Sequence, residues 1–130
     1  MIVLDASAAV ELLIGTSMGL RVRRRIELPG ESVHAPHLLD AEVLNALRKG
    51  ARIGMISVFR GKEAISDLRE ILITRYPHDL LLDRMWELRN SASAYDAAYL
   101  ALAEGLDAPI VTCDSRLDRV SGHNATIEMI

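Results

Sequence analysis

Ile2-Val3-Leu4-Asp5-Ala6-Ser7, near the start of the chain, and Pro109-Ile110-Val111-Thr112-Cys113-Asp114, near its end, follow one plan. Each is a short apolar run that stops at an acid. An unbroken apolar run rich in β-branched residues suits a strand buried on both faces, and the acid marks where such a strand leaves the core. After the first run, Ser7 starts an amphipathic stretch through Ala8, Ala9, Leu12 and Leu13 toward Gly15, so the local order is strand, turn, helix.

The same reading extends outward from these two strands. Arg21 to Leu28 reads as helical, and Pro29-Gly30 stops it before a strand near Ser32 to Ala35. Pro36 is expected to open the next helix, whose spacing runs through Leu39, Val43, Ala46 and Leu47, with Gly50 and Gly54 as stop signals. Further helices are expected over 57–72, Leu80 to Arg89 and Ala94 to Glu104. Further strands are expected over Ile71 to Tyr76 and Thr126 to Ile130. Strands alternating with helices imply an α/β fold of three layers, α/β/α, with a central, mainly parallel sheet of about five strands covered on both faces. No repeat, linker or low-complexity tract divides residues 1–130, which read as a single domain.

Bulk properties narrow the function classes. Half of the 130 residues are apolar, enough for a core without disulfides, and the lone Cys113 cannot form an internal bridge. No charged leader precedes an apolar run, which places the chain in the cytoplasm, and no apolar stretch approaches the roughly 18 residues of a membrane span. A net charge of −3 argues against coating nucleic acid through overall positive potential. Any such contact is local, at Arg21, Arg23, Arg24 and Arg25 or at Arg48, Lys49 and Arg52, and a solvated helix face explains either cluster equally well.

Among 18 acids, placement singles out Asp5 and Asp114, each following an apolar strand. In open parallel sheets ligands bind in the crevice outside the carboxyl ends of the strands, and a divalent cation such as Mg2+ or Mn2+ relieves the repulsion of two carboxylates there. Helix capping is the competing explanation for each. Glu42 and Asp40 lie two positions apart on one helix, about 200° around its axis, so only one can face a shared site. Asp40, near the helix start, has the stronger dipole explanation, and spacing alone does not choose. Asp96 closes Ser93-Ala94-Tyr95-Asp96, which fits a capping box, and the small Ala92, Ala94, Ala97 and Ala98 around it permit close approach of neighbouring backbone.

Four segments together carry a resemblance: Ile2-Val3-Leu4-Asp5-Ala6-Ser7; Ala35-Pro36 followed by Glu42-Val43-Leu44-Asn45-Ala46-Leu47; Tyr95-Asp96-Ala97-Ala98-Tyr99-Leu100-Ala101-Leu102-Ala103; and Thr112-Cys113-Asp114-Ser115-Arg116-Leu117. In this order and spacing the chain resembles the PIN-domain family, most closely the VapC toxins of toxin–antitoxin pairs, over nearly its whole length. The resemblance implies an acidic metal site of Asp5, Glu42, Asp96 and Asp114, and so chooses Glu42 over Asp40. It implies supporting hydrogen bonds from Ser7 and Thr112, and leaves Asp118 as either an additional acid or a local cap. The implied activity is that of a Mg2+- or Mn2+-dependent endoribonuclease, the toxin of a type II pair, with RNA as substrate. The implied partners are a cognate VapB-like antitoxin, docking an amphipathic segment and obstructing the acidic site, and a second copy in a homodimer; the apolar residues of the first two helices suit a groove for that segment and suit the core at least equally well. Hydrolysis by water would leave a 5′-phosphate and a 3′-hydroxyl.

Rival classes make different demands. A receiver-like regulatory domain needs an adjacent acidic pair after an early strand and a lysine after a late one, whereas the only lysines are Lys49 and Lys62. A catalytically silent PIN-like module that binds RNA or protein does not require an intact acid set. A metal-free ribonuclease would draw on His34, His37, His78 and His123, which no spacing links and which read as surface or loop residues. Cys113 reads as a buried strand residue without a histidine partner.

Overall fold

The computed structural model describes residues 1–130. Its centre is β1 (Ile2–Leu4), whose three side chains are fully buried; each apolar side chain so buried stabilises the fold by roughly 1.5–3 kcal/mol. The chain continues through α1 (Ala6–Ile14), α2 (Ser17–Ile26), β2 (Val33–Pro36), α3 (Leu38–Arg52), α4 (Val58–Glu70) and β3 (Ile73–Tyr76). A 3-10 turn (His78–Leu81), α5 (Leu82–Glu87), α6 (Ala94–Leu106), β4 (Ile110–Thr112), a second 3-10 turn (Leu117–Arg119) and β5 (Ile127–Met129) complete it.

All strand pairs are parallel, in the order β3-β2-β1-β4-β5. The steps from β1 to β2 and from β2 to β3 run one way along the sheet, and the step to β4 returns past β1. Right-handed crossovers therefore place α1 to α4 on one face and α5 and α6 on the other, giving the expected three layers. The sheet is wholly parallel where a mainly parallel one was expected.

Local chemistry sets the boundaries. Asp5 is the N-cap of α1, accepting from the Ser7 amide, and Gly15 closes that helix in the left-handed region at φ +82°. α3 presents Leu39, Val43 and Leu47 to the core at intervals of one turn. α6 is capped by Ser93 and buried along Ala97 to Ala103. Three expectations about boundaries are corrected. Pro36 ends β2 instead of opening α3. Gly50 lies inside α3, which ends at Arg52 before Gly54 takes φ +78°. The helix expected over Leu80 to Arg89 is a 3-10 turn followed by the short α5.

Gly19 sets the approach of α2 to α1, since a Cβ there would lie 2.0 Å from the Glu11 carbonyl oxygen. Arg84 of α5 donates twice to Glu104 of α6, at 2.6 and 3.0 Å, and once to the Gly122 carbonyl, and the Asn124 amide also donates to Glu104. The Arg84 guanidinium holds the Glu104 carboxyl below its ordinary value.

Gly19→Ala is expected to lose about 2–3 kcal/mol in urea denaturation, because backbone must move to admit the methyl group. Glu104→Gln is expected to lose about 2 kcal/mol at pH 7. A carboxyl lowered in the folded state stabilises fully above the unfolded value of about 4.3, and that contribution fades as acid takes the pH down through the folded value. The stability difference between wild type and Glu104→Gln should accordingly shrink between pH 5 and pH 3 in denaturation curves.

Candidate active site

Chain connections leave the sheet in opposite directions at the junction of β1 and β4, and open parallel sheets bind ligands outside such a junction. Leu4 pairs with Val111, so adjacent strands deliver Asp5 and Asp114 to one crevice.

Hydroxyl groups fix Asp5 in place. Its Oδ2 accepts from the Ser7 amide at 3.2 Å, from the Ser7 hydroxyl, and from Thr112 Oγ1 at 2.8 Å. Ser7 Oγ lies 3.1 Å from Thr112 Oγ1 and accepts from the Cys113 amide, while Thr112 Oγ1 accepts from the Asp114 amide. Ser7 and the fully buried Thr112 thus stitch Asp5 to the strand that precedes Asp114. Capping and crevice placement coexist in Asp5: Oδ2 takes every protein hydrogen bond, and Oδ1 takes none.

Glu42 enters from α3 and Asp96 from the first turn of α6. Burial raises the Glu42 carboxyl above its ordinary value, with a 2.6 Å hydrogen bond from the Tyr99 hydroxyl opposing and the charges of Asp5 and Asp96 adding. Burial likewise raises Asp96, with the Ser93 hydroxyl opposing and the charges of Asp5 and Asp114 adding. The charge of Asp5 thus reaches both helix acids, and that of Asp114 reaches Asp96. As the side chains stand, no three acids close to ion-holding distance. Asp114 is turned to Arg116, whose guanidinium donates to both its oxygens at 2.7–3.1 Å and holds its carboxyl below the ordinary value. The donor set is nevertheless all oxygen, as a hard divalent cation requires, and neither Asp5 Oδ1 nor Glu42 Oε1 has a protein donor.

Asp40 binds elsewhere, in a bidentate pair with Arg75 of β3 at 2.8 Å. Asp118 stands exposed on the second 3-10 turn, apart from the hydrogen-bonded network. His34 is a buried strand residue between Tyr76 and Ser32, contrary to its surface reading, and burial lowers its pKa. His78 accepts from the Leu38 amide at the start of α3. Burial pushes the Cys113 thiol up to about 11, which disfavours a thiolate. Of the first arginine cluster, Arg23 pairs with Glu27 and Arg25 with Glu31 and Glu128, so half of it is structural. A cavity of about 1080 Å³ lies between α1, α2, α4 and β3, and none of the four acids lines it.

The model of the PIN domain matches residues 2–123. The chain belongs to the PIN-domain family. Among PIN relatives, Ribonuclease VapC12 of Mycobacterium tuberculosis is 44% identical over 130 residues, covering 100% of this chain and 99% of the relative. Ribonuclease VapC1 of the same species is 40% identical over 129 residues, covering 98% and 96%. The crystal structure of PAE2754 from Pyrobaculum aerophilum superposes with a TM-score of 0.68 at 26% identity, covering 97% of this chain and 82% of that one. Mycobacterium tuberculosis VapC20, a sarcin-ricin loop cleaving toxin, superposes at 0.66 and 14% identity, covering 91% and 93%, a likeness of fold.

In this PIN domain two residues at the acids escaped the sequence reading. Tyr99 lies one helical turn beyond Asp96 and is 1% exposed, a position that i,i+3 spacing from Asp96 would have indicated. Arg116 follows Asp114 by two residues, and its amide donates to Asp114 Oδ1 at 2.9 Å, the short-range bond that aspartate favours in turns. Tyr99→Phe keeps the ring and removes the donor to a half-buried carboxylate. It is expected to cost about 1–2 kcal/mol in urea denaturation at pH 7.5.

Proposed function

We propose that Asp5, Glu42, Asp96 and Asp114 form the catalytic centre of this PIN-domain chain and together hold a divalent cation, Mg2+ or Mn2+. The observation that supports this most is geometric: the paired ends of β1 and β4 bring Asp5 and Asp114 to one crevice, with an Asp5 oxygen free of protein donors, and the charge of Asp5 reaches both Glu42 and Asp96. Burial first, and then the charges of neighbouring acids, raise Glu42 and Asp96 toward the protonated form, and a cation would offset both effects. The bound cation would supply Lewis-acid stabilisation and a water of lowered pKa. The chain's own residues prepare for it: Ser7 and Thr112 hold Asp5 in one orientation, and Tyr99 does the same for Glu42.

The chain is an endoribonuclease of the VapC kind, the toxin of a type II toxin–antitoxin pair, acting on RNA phosphodiester bonds. Water as nucleophile leaves a 5′-phosphate and a 3′-hydroxyl, so preference for RNA rests on shape and loops. Its partner is a cognate VapB-like antitoxin. The cavity between α1, α2, α4 and β3 suits the amphipathic segment of such a partner, with Leu12, Leu13 and Ile26 on its floor and Arg23, Glu27 and Asp67 on its rim. Residues 1–130 act as one domain, and the chain assembles as a homodimer in the cytoplasm. No helix is long and apolar enough to cross a membrane.

Asn keeps the capping role of Asp5, so Asp5→Asn and Asp96→Asn test chemistry with the fold preserved. Each should reduce Mn2+-dependent cleavage of RNA about 100-fold or more. Mn2+ should raise the melting temperature of wild type by a few degrees, and of neither variant. Undiminished cleavage by either variant overturns the assignment.

A further inference from the structure

The arginine pairs of this chain are of two kinds. Arg25, Arg75 and Arg84 bind carboxylates while their side chains are 19–31% exposed, and each has a second anchor: Glu128, the Ile73 carbonyl and the Gly122 carbonyl respectively. Arg116 is 85% exposed, and every hydrogen bond its guanidinium makes is to Asp114. It is a fork with one tenon. An exposed ion pair of this kind is weak and exchangeable, because water competes for both partners. Its carboxylate belongs to the acidic crevice, and the charge of Arg116 reaches Asp96 and Asp5 as well.

We propose that Arg116 is a resident counter-cation that occupies Asp114 until a divalent cation takes that carboxylate, and that the released guanidinium then binds an RNA phosphate beside the crevice. This rests on the reading of the four acids as the cation centre. Two properties of guanidinium carry it. Its planar fork matches carboxylate and phosphate alike, so one side chain can pass from one to the other without new machinery. A crevice lined by acids repels a polyanion, and a cation at its rim offsets that repulsion only if the acid beneath it has found another partner.

The test is one variant with two readouts of opposite sign. Arg116→Gln should bind Mn2+ about three- to fivefold more tightly in titration calorimetry, having lost the competitor. At saturating Mn2+ the same variant should show a KM for RNA raised about threefold or more, with kcat within about twofold, having lost a phosphate contact. Arg119→Gln is the control, because Arg119 also lies close to Asp114 but donates to Ser115. Its Mn2+ affinity should stay within about twofold of wild type, whereas general electrostatics would move both variants alike. Equal tightening in both variants, unchanged or weaker Mn2+ binding in Arg116→Gln, or an unchanged KM overturns the role of Arg116 while leaving the acidic centre standing. A wild-type chain that binds no Mn2+ overturns both.

Discussion

Asp5 Oδ2 accepts at once from the amide that starts α1, from the Ser7 hydroxyl and from the Thr112 hydroxyl on the neighbouring strand. Those three bonds join a helix start, a turn and a strand 107 residues away in the chain through one oxygen atom. The sheet supplies the frame for it, since β1 and β4 are fully buried and lie in parallel register with Leu4 beside Val111. With Oδ2 saturated, Oδ1 is the oxygen left without a protein donor. A short strand with an acid at its end therefore fixes both the place and the orientation of the crevice.

Much of this was legible in the sequence because fully buried strands must be written as apolar runs, and acids immediately after them have few places to go. Ile2-Val3-Leu4 and Ile110-Val111-Thr112 are such cases. The misread boundaries have physical causes. Pro36 is the last residue of β2, where its fixed φ suits extended backbone as well as a helix start. Gly50 remains helical because the chain does not turn into the left-handed region until Gly54, and a Cβ at Gly50 would meet Ile56 only at an ordinary contact distance of 3.4 Å. α6 passes Gly105 and ends with Asp107 in the left-handed region at φ +50°, which Asp tolerates.

The crevice divides along the same line. Asp5 and Asp114 follow from strand ends, and the order of the sheet explains why they share a site. Glu42 and Asp96 lie on helices, where spacing left Asp40 and a capping box as equal explanations, and family resemblance was needed to choose them. The pairing of Asp40 with Arg75 supplies the missing physical reason. Spacing could indicate Tyr99 only as a neighbour of Asp96; its bond to Glu42, across 57 residues of sequence, is a meeting that only the packed helices create.

The order of the strands bears on when the crevice can form. β1 leaves the ribosome well before β4, its partner on one side in the sheet. Non-local parallel pairing of this kind forms late, after the entropy of closing a long loop has been overcome. Until β4 has slotted in beside β1, Thr112 cannot hold Asp5 and Asp114 has no crevice to join. A chain that lacks that strand has no such crevice, so the place where the four acids meet is a product of completed folding and not of any local segment.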